Sequence, residues 1–126
     1  MPLFDSVFLV DDDPINNLIN RRLLGKVGIS DRILEFLSGE EALNALGKQP
    51  AEHTLLILLD INMPVMNGWE FLDKYQMVFP NRKDKILILS SSIDFQDRQK
   101  AKEYAIVEGF IEKPLNLEIL RDFFQD

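Results

Sequence analysis

Five short apolar segments alternate with helix-type patterns along the chain, and this alternation restricts the fold more than any other feature. The segments cover residues 7–10, 32–37, 54–59, 85–89 and 107–111. Each is short and largely apolar, as expected of strands that are buried on both faces of a parallel sheet. Strands that alternate with helices form such sheets with right-handed crossovers and helices on both faces. The sequence therefore predicts a three-layer α/β fold.

Capping residues mark where the predicted helices begin. Asp13 precedes Pro14, a pattern typical of an N-cap followed by proline at the first helical position, and this helix is predicted to end near residue 25. Ser38 and Glu41 have the spacing of a capping box, and a later helix is predicted to begin near Asp94. The apolar residues at helical spacing are Ile15, Leu18, Ile19 and Leu23, then Trp69, Leu72, Tyr75 and Phe79, then Ala101, Tyr104 and Ala105, and finally Leu117, Leu120 and Phe124.

The composition excludes several classes of site and partner. A chain of 126 residues without cysteine fits one domain and cannot form thiolate metal sites, disulfides or a catalytic thiol. The single histidine, His53, cannot form a histidine cluster, and its polar surroundings predict a solvated side chain. A net charge of −7 disfavours binding to nucleic acid and to anionic lipid. No apolar run approaches the ~20 residues that span a bilayer, so we expect a cytoplasmic protein.

Polar side chains follow four of the predicted strands, at the sheet edge where ligands bind in such folds. Asp11 and Asp12 follow the first strand, Asp60 the third, Ser90 the fourth and Lys113 the fifth. Clustered carboxylates require a cation, and an all-oxygen ligand set favours Mg²⁺ over Ca²⁺. A metal, an ammonium group and a hydroxyl around one carboxylate would stabilise a phosphoryl group. Asp60 is therefore a candidate nucleophile for an aspartyl phosphate.

Four motifs at these strand ends point to a known family. They are Val10-Asp11-Asp12, then Leu59-Asp60-Ile61-Asn62-Met63-Pro64 with Gly68, then Leu89-Ser90-Ser91, and Phe110-Ile111-Glu112-Lys113-Pro114. The order and spacing of these motifs resemble those of the receiver (CheY-like) domains of two-component response regulators, and the resemblance covers essentially the whole length of the sequence. The resemblance implies a doubly wound (βα)₅, flavodoxin-like fold with strand order 2-1-3-4-5. It also implies one stand-alone receiver domain over residues 1–126, with no output domain.

The resemblance further implies how the acidic residues act. Asp60 would be the phosphoacceptor. Asp11 and Asp12 would hold Mg²⁺ together with Asp60 and the backbone carbonyl of Asn62. Asn62 and Ser92 flank the phosphoryl site in receivers and would tune the loss of the phosphoryl group. Neither is a charged or bulky shield, so we expect a short-lived phosphorylated state.

The remaining motif residues would sense the phosphoryl group. By the same resemblance, Ser90 and Lys113 would contact the phosphoryl oxygens, and the Lys113–Pro114 peptide bond would be cis. Ser90 and Phe110 would form the conformational switch, in which Ser90 moves toward the phosphate and the ring of Phe110 turns into the vacated space. Phe110 lacks a hydroxyl group, so it cannot make the hydrogen bond that the family's tyrosine makes to a partner.

The implied partners are other proteins rather than small-molecule substrates. The phosphodonor would be a sensor histidine kinase or a histidine phosphotransfer protein, and the chain would catalyse its own phosphorylation and dephosphorylation without being a conventional enzyme. A monomer or a weak phosphorylation-dependent dimer is expected. The output would pass to an effector through the fourth helix, the fifth strand and the fifth helix. A chemotaxis-type adaptor and a phosphorelay intermediate both fit. Exposed candidates on this face are Phe95, Gln99, Lys102 and Glu103.

Three other classes of protein share part of this pattern. A haloacid-dehalogenase-type phosphatase requires a second acid two residues after the nucleophile, where this chain has Asn62. A flavodoxin requires a Ser/Thr/Gly-rich phosphate loop after the first strand, where this chain has Asp11, Asp12 and Asp13. A phosphorylation-independent receiver that serves only as a binding module remains the alternative, although such proteins typically lose an acid or the lysine that this chain keeps.

Overall fold

A computed structural model describes residues 3–91 and 94–124, in which five strands alternate with five helices. The strands form one parallel sheet in the order β2-β1-β3-β4-β5. This arrangement confirms the predicted α/β fold and strand order. The elements are β1 (Ser6–Val10), α1 (Pro14–Val27), β2 (Ile33–Phe36), α2 (Gly39–Leu46), β3 (Leu55–Leu59), α3 (Gly68–Val78), β4 (Lys85–Ser90), α4 (Phe95–Ala101), β5 (Val107–Glu112) and α5 (Leu117–Phe124).

A hydrophobic core lies on each face of the sheet. Consecutive strand residues point to opposite faces. Accordingly, Leu9 packs with Leu24 of α1 and other residues on one face, while Phe8 packs with Phe71 of α3 on the other. β1 and β3 are buried along their whole length because they lie inside the sheet, and this explains their uninterrupted apolar sequences.

A third and smaller core lies near the carboxyl ends of the strands, and we call it the α4 cluster. Its buried members are Ile61, Ile88 and Ala101, with Trp69, Val107 and Phe110 partly buried around them. Ala101 is the buried residue of α4. The cluster therefore joins α4 to the sheet next to the edge where the predicted site lies.

The helix α1 is present, but its exposed and buried faces differ from what the apolar spacing suggests. Ile15 and Ile19 are 65% and 53% exposed, whereas Asn17 and Asn20 are buried. The side-chain amide of Asn17 donates to the carbonyl oxygens of Asp11 and Phe36 at 3.0 and 3.3 Å, so this face satisfies backbone groups at the sheet edge. The helix also continues past residue 25 to residue 27 and ends at Gly28 with φ +73°.

Two further predictions need correction. α4 begins at its predicted cap, where the side chains of Asp94 and Asp97 form a capping box, but it ends at Ala101, so Tyr104 lies in the following turn rather than on a helical face. His53 is not simply solvated. It is half-buried, and its Nδ1 is buried without a hydrogen-bond partner among the described residues.

The remaining boundaries lie close to the prediction. β4 and β5 each extend one residue further, to Ser90 and Glu112. The N-cap of α2 is Ser38, whose hydroxyl accepts from the backbone N–H of Glu41 at 3.2 Å. The Glu41 carboxylate accepts from the N–H of Leu37 rather than from that of Ser38, so the capping box is only half formed. Across residues 3–91 and 94–124, no helix has the length and apolar character needed to span a bilayer.

Candidate functional site

The parallel strands bring the predicted site residues to one edge of the sheet. Asp11 and Asp60 follow β1 and β3, which are neighbours, and the N–H of Asp60 donates to the carbonyl of Val10 at 3.0 Å. Ser90 is the last residue of β4, and its carbonyl accepts from the N–H of Lys113 at 2.9 Å. The peptide bond from Lys113 to Pro114 is cis. Backbone pairing thus places side chains that are far apart in sequence at neighbouring positions.

Three carboxylates and one ammonium group form the centre of the site. One oxygen from each of Asp11, Asp12 and Asp60 lies within 4.8 Å of the others. The Nζ of Lys113 donates to Asp11 Oδ2 at 2.7 Å and to Asp60 Oδ2 at 3.2 Å. Asp11 and Asp60 are only 5% and 6% exposed, while Asp12 is open to solvent. The site is therefore an acidic cleft in which Lys113 partly balances two buried charges.

Asn62 connects the candidate phosphoacceptor to the end of β4. Its backbone N–H donates to Asp60 Oδ1 at 3.0 Å, and its side-chain amide donates to the hydroxyl oxygen of Ser90 at 3.0 Å. The predictions for Asn62 concerned its backbone carbonyl as a metal ligand and its effect on loss of the phosphoryl group; its contact with Ser90 was not predicted. Asn17, which fixes the backbone of Asp11, was also missed.

Burial and neighbouring charges shift the pKa values of the two central groups. Burial raises the pKa of the Asp60 carboxyl from its ordinary value. The charge of Asp11 acts in the same direction, while the N–H of Asn62 and the ammonium of Lys113 partly oppose it. For Lys113, burial acts to lower the pKa, but the hydrogen bond to Asp11 and the charges of Asp60 and Asp11 outweigh it, so the pKa is raised. Lys113 is thus cationic at neutral pH.

The chemistry of the ligand set fits a hard divalent cation. The three carboxylate oxygens lie within 4.8 Å of one another, and no nitrogen or sulfur ligand belongs to the group. Mg²⁺ prefers oxygen ligands and retains several waters, so a sparse and partly open carboxylate set suits it. The exposed carboxylate of Asp12 leaves one side of the cleft accessible to such an ion.

The loop after β3 packs closely against the start of α3. A Cβ at Gly68 would lie 2.6 Å from Ile61 Cα and 2.9 Å from the carbonyl oxygen of Asp60, so only glycine fits without movement of the backbone. Within the loop, the N–H of Met66 donates to the carbonyl of Pro64 at 2.8 Å across Val65, which has φ +67°. A β-branched residue is strained in this conformation. The loop that begins at Asp60 is therefore tightly fixed at both ends.

Phe110, the predicted switch residue, lies near the end of β4. It is on β5, paired with Ile88 of β4, and it packs against the α4 cluster two residues along the sheet from the Ser90 position. The surface candidates on α4 and after it are all exposed: Phe95, Gln99, Lys102 and Glu103. Ser92 lies outside the described residues. The structure thus brings Asp11, Asp12, Asp60, Ser90 and Lys113 together at one edge and places Phe110 beside them.

Comparison with known proteins links this geometry to one family. The model of the response regulator receiver domain matches residues 7–125. The chain is similar to a two-component response regulator from Cytophaga hutchinsonii, with a TM-score of 0.85 and 33% identity over 96% of this chain and 94% of the other. It is 30% identical to the transcriptional regulatory protein MalR of Bacillus subtilis, over 96% of this chain and 49% of the relative.

Longer signalling proteins contain a similar stretch. The autoinducer 1 sensor kinase/phosphatase LuxN of Vibrio campbellii is 28% identical over 116 residues, which is 92% of this chain and 13% of LuxN. The chain therefore spans only a small part of LuxN and about half of MalR. The similarity to these relatives covers a domain and not their complete activities.

Proposed function

Because this chain belongs to the response regulator receiver domain family of two-component signalling, we propose that it accepts a phosphoryl group on Asp60. The observation that carries the proposal is the contact of Lys113 Nζ with both Asp60 and Asp11, within a cluster of three carboxylates. A receiver domain is not a conventional enzyme. Its own side chains, by this proposal, promote one transfer to the domain and one later hydrolysis.

The proposed reaction is a phosphoryl transfer in two steps. An Asp60 carboxylate oxygen forms a bond to phosphorus, while the bond from phosphorus to a donor's imidazole nitrogen breaks and that nitrogen keeps the electron pair. Water later attacks phosphorus, so inorganic phosphate leaves and the carboxylate is restored. Such transfers depend mainly on positioning and on neutralising the phosphoryl oxygens. The N–H of Asn62 at 3.0 Å from Oδ1 supports this role, because it holds the carboxylate in one orientation.

The other residues of the cleft would neutralise charge. Asp11, Asp12, Asp60 and the carbonyl of Asn62 would hold Mg²⁺, which supplies positive charge to the phosphoryl oxygens. Lys113 would add a second cation, since its Nζ is 3.2 Å from Asp60 Oδ2 and the raised pKa keeps it protonated. Ser90 would donate its hydroxyl to a phosphoryl oxygen. Its position at the buried end of β4, within 3.0 Å of Asn62, supports this assignment.

Partner proteins would supply the phosphoryl group and receive the signal. A phosphohistidine protein, either a sensor histidine kinase or a phosphotransfer protein, is the proposed donor, and the similar stretch within the sensor kinase/phosphatase LuxN supports it. The proposed output is a protein that binds α4, β5 and α5. Phe110 supports this choice of surface, because it packs with Ile61, which follows Asp60, and with Ala101 of α4. On this proposal the domain signals through protein contacts.

The test uses a small phosphodonor and three proteins. The proteins are the wild type, Asp60→Asn and the control Asp31→Asn, which changes an exposed acid elsewhere. Each is incubated with acetyl phosphate and either Mg²⁺ or EDTA. The reaction is then quenched, and the mass of the intact protein is measured by mass spectrometry. We expect one added phosphoryl group in the wild type and the control, only with Mg²⁺, and none in Asp60→Asn. An adduct in Asp60→Asn would move the phosphoacceptor elsewhere. No adduct in any protein would support the phosphorylation-independent binding module instead.

A further inference from the structure

The helix α4 is held to the sheet by few apolar contacts. Ala101 is its buried residue, and among residues 3–91 and 94–124 the α4 cluster beneath it has Ile61 and Ile88 as its other buried members. Both neighbours adjoin the candidate site, because Ile61 follows Asp60 and Ile88 shares a sheet face with Ser90 two residues on. A change in the contacts of α4 would therefore act on residues that adjoin the site.

Arg98 of α4 contacts the ring of Phe110. The carbon at the centre of its guanidinium group is 4.3 Å from the ring centroid, a distance typical of a cation–π interaction. In the part of the chain that the structure describes, the Arg98 side chain forms no ion pair that would compete with this contact. The ring is half-buried, with Ile88 as its neighbour on the adjacent strand. The guanidinium therefore covers one face of Phe110.

The rest of α4 has an anchor of its own. Lys100 Nζ lies 5.3 Å from the centroid of the Trp69 ring, which stacks on Tyr104 at 5.8 Å. The Tyr104 hydroxyl donates to Asp73 on α3 at 2.8 Å. These contacts attach the C-terminal end of α4 to α3 without involving Phe110. A change at Arg98 should therefore alter the ring contact while leaving the helix in place.

We propose that Arg98 is a positioning residue that acts through Phe110, holding its ring in the observed orientation and opposing rotation toward Ser90. Rotation of the ring about its Cα–Cβ bond would turn its face away from the guanidinium group of Arg98, so the 4.3 Å contact would be lost. The inference rests on the proposed function and on the expected coupling of that rotation to phosphorylation of Asp60. Arg98 thereby sets how much of the protein is ready for phosphorylation.

The size of the effect follows from the strength of an exposed cation–π contact. Loss of such a contact shifts a two-state equilibrium about two- to fivefold. Because a phosphodonor captures the rotated state, Arg98→Gln should react with acetyl phosphate and Mg²⁺ about two- to fivefold faster than the wild type. Arg98→Lys should remain close to the wild type, since an ammonium group also binds a ring face. Arg22→Gln, which removes the same charge from an exposed residue of α1, should have no effect.

A second set of variants shows whether Arg98 acts through the ring. Phe110→Leu keeps an apolar side chain but removes the ring face. In that background Arg98→Gln should leave the phosphorylation rate unchanged, whereas a purely structural role for Arg98 would give the same acceleration in both backgrounds. Equal rates for Arg98→Gln and the wild type, a slower reaction, or the same acceleration with Phe110→Leu would each overturn the proposal.

A third measurement separates this inference from the proposed function. Urea unfolding of the wild type, Arg98→Gln, Phe110→Leu and the double variant, without any phosphodonor, gives the coupling free energy between Arg98 and Phe110. If the coupling is measurable but acetyl phosphate modifies none of the proteins, the contact between Arg98 and Phe110 is supported, whereas phosphorylation of Asp60 and the effect of Arg98 on it are rejected. If the wild type is phosphorylated but the variants show neither coupling nor a rate change, the role of Arg98 is rejected and the proposed function is kept.

Discussion

The contact of Lys113 with Asp11 and Asp60 makes a testable contribution to stability. Lys113 is 14% exposed at the side chain, and the two carboxylates are 6% and 8% exposed, so all three groups are largely shielded from water. The perturbation we choose is Lys113→Met, because methionine retains most of the aliphatic stem and removes only the charged end. In this variant two buried carboxylates remain without their common counter-charge, and Asp12 adds a third negative charge nearby.

The cost of this change follows from the burial of the groups. Removing one partner from a buried ion pair costs about 3–5 kcal/mol, and the residual exposure of the cleft favours the lower end, about 3 kcal/mol. A chain of this length loses about 4 °C of melting temperature per kcal/mol, so we expect a decrease of roughly 10–12 °C. The decrease should shrink as the pH falls, because burial places the folded-state pKa of Asp60 above its ordinary value of 3.8 and a protonated carboxyl needs no counter-charge.

The assay compares thermal unfolding in EDTA and in Mg²⁺. Because Lys113 and a bound cation would share oxygens of Asp11 and Asp60, Mg²⁺ should stabilise Lys113→Met more than it stabilises the wild type. The control is Lys48→Met, which removes an exposed lysine in the turn after α2. Equal melting temperatures of Lys113→Met and the wild type in EDTA would refute the energetic argument. An equal gain from Mg²⁺ in both proteins would show that the cation does not bind at these carboxylates.

Three further outcomes are expected. Val65→Asn should stabilise the protein by about 1 kcal/mol in urea unfolding, because asparagine tolerates φ +67° and Val65 is 98% exposed, so no packing is lost. Gly68→Ala should destabilise it by about 1–3 kcal/mol, since the new methyl group would meet Ile61 Cα at 2.6 Å. Burial and the hydrogen bond to Asp84 raise the pKa of Tyr75 above its ordinary value of 10.0, so stability present below pH 10 should be lost above it, and less so in Tyr75→Phe.

The alternation of strands and helices was sufficient to predict the α/β class and the grouping of the strand-end residues, whereas the strand order came from the family resemblance. Parallel strands that alternate with helices all end at the same sheet edge, so a residue that follows a strand can be placed without knowing its contacts. Asp60 and Lys113 could therefore be grouped although 53 residues separate them. The pairing of Lys113 with Asp11, by contrast, depends on side-chain conformation, which no spacing rule contains.

The prediction for the inward face of α1 failed because polar contacts replace apolar ones there. The apolar residues of α1 suggest an inward face that includes Ile15 and Ile19, yet Asn17 lies inward because the carbonyls of Asp11 and Phe36 need donors at the sheet edge. Periodicity of hydrophobic residues does not detect such a requirement. The end of α4 was missed for a different reason: its N-terminal capping box is visible in the sequence, but nothing in the sequence marks its end at Ala101.

The contacts around the site differ between its two sides, and this difference indicates where a change of charge at Asp60 would act. Toward β2, the backbone of Asp11 is fixed by Asn17, which makes two hydrogen bonds to carbonyl oxygens of β2 and the Asp11 loop.

Toward β4 and β5, the links are side chains that can change partners: Lys113, shared between two carboxylates, and Asn62, bonded to Ser90. A phosphoryl group on Asp60 would replace a single negative charge with about two and add acceptor oxygens. Lys113 and Ser90 would then be drawn toward the new oxygens, while the Asn17 contacts would not need to change. Because β5 carries Phe110 against the α4 cluster, the response would be directed to the α4 side of the molecule and not to α1.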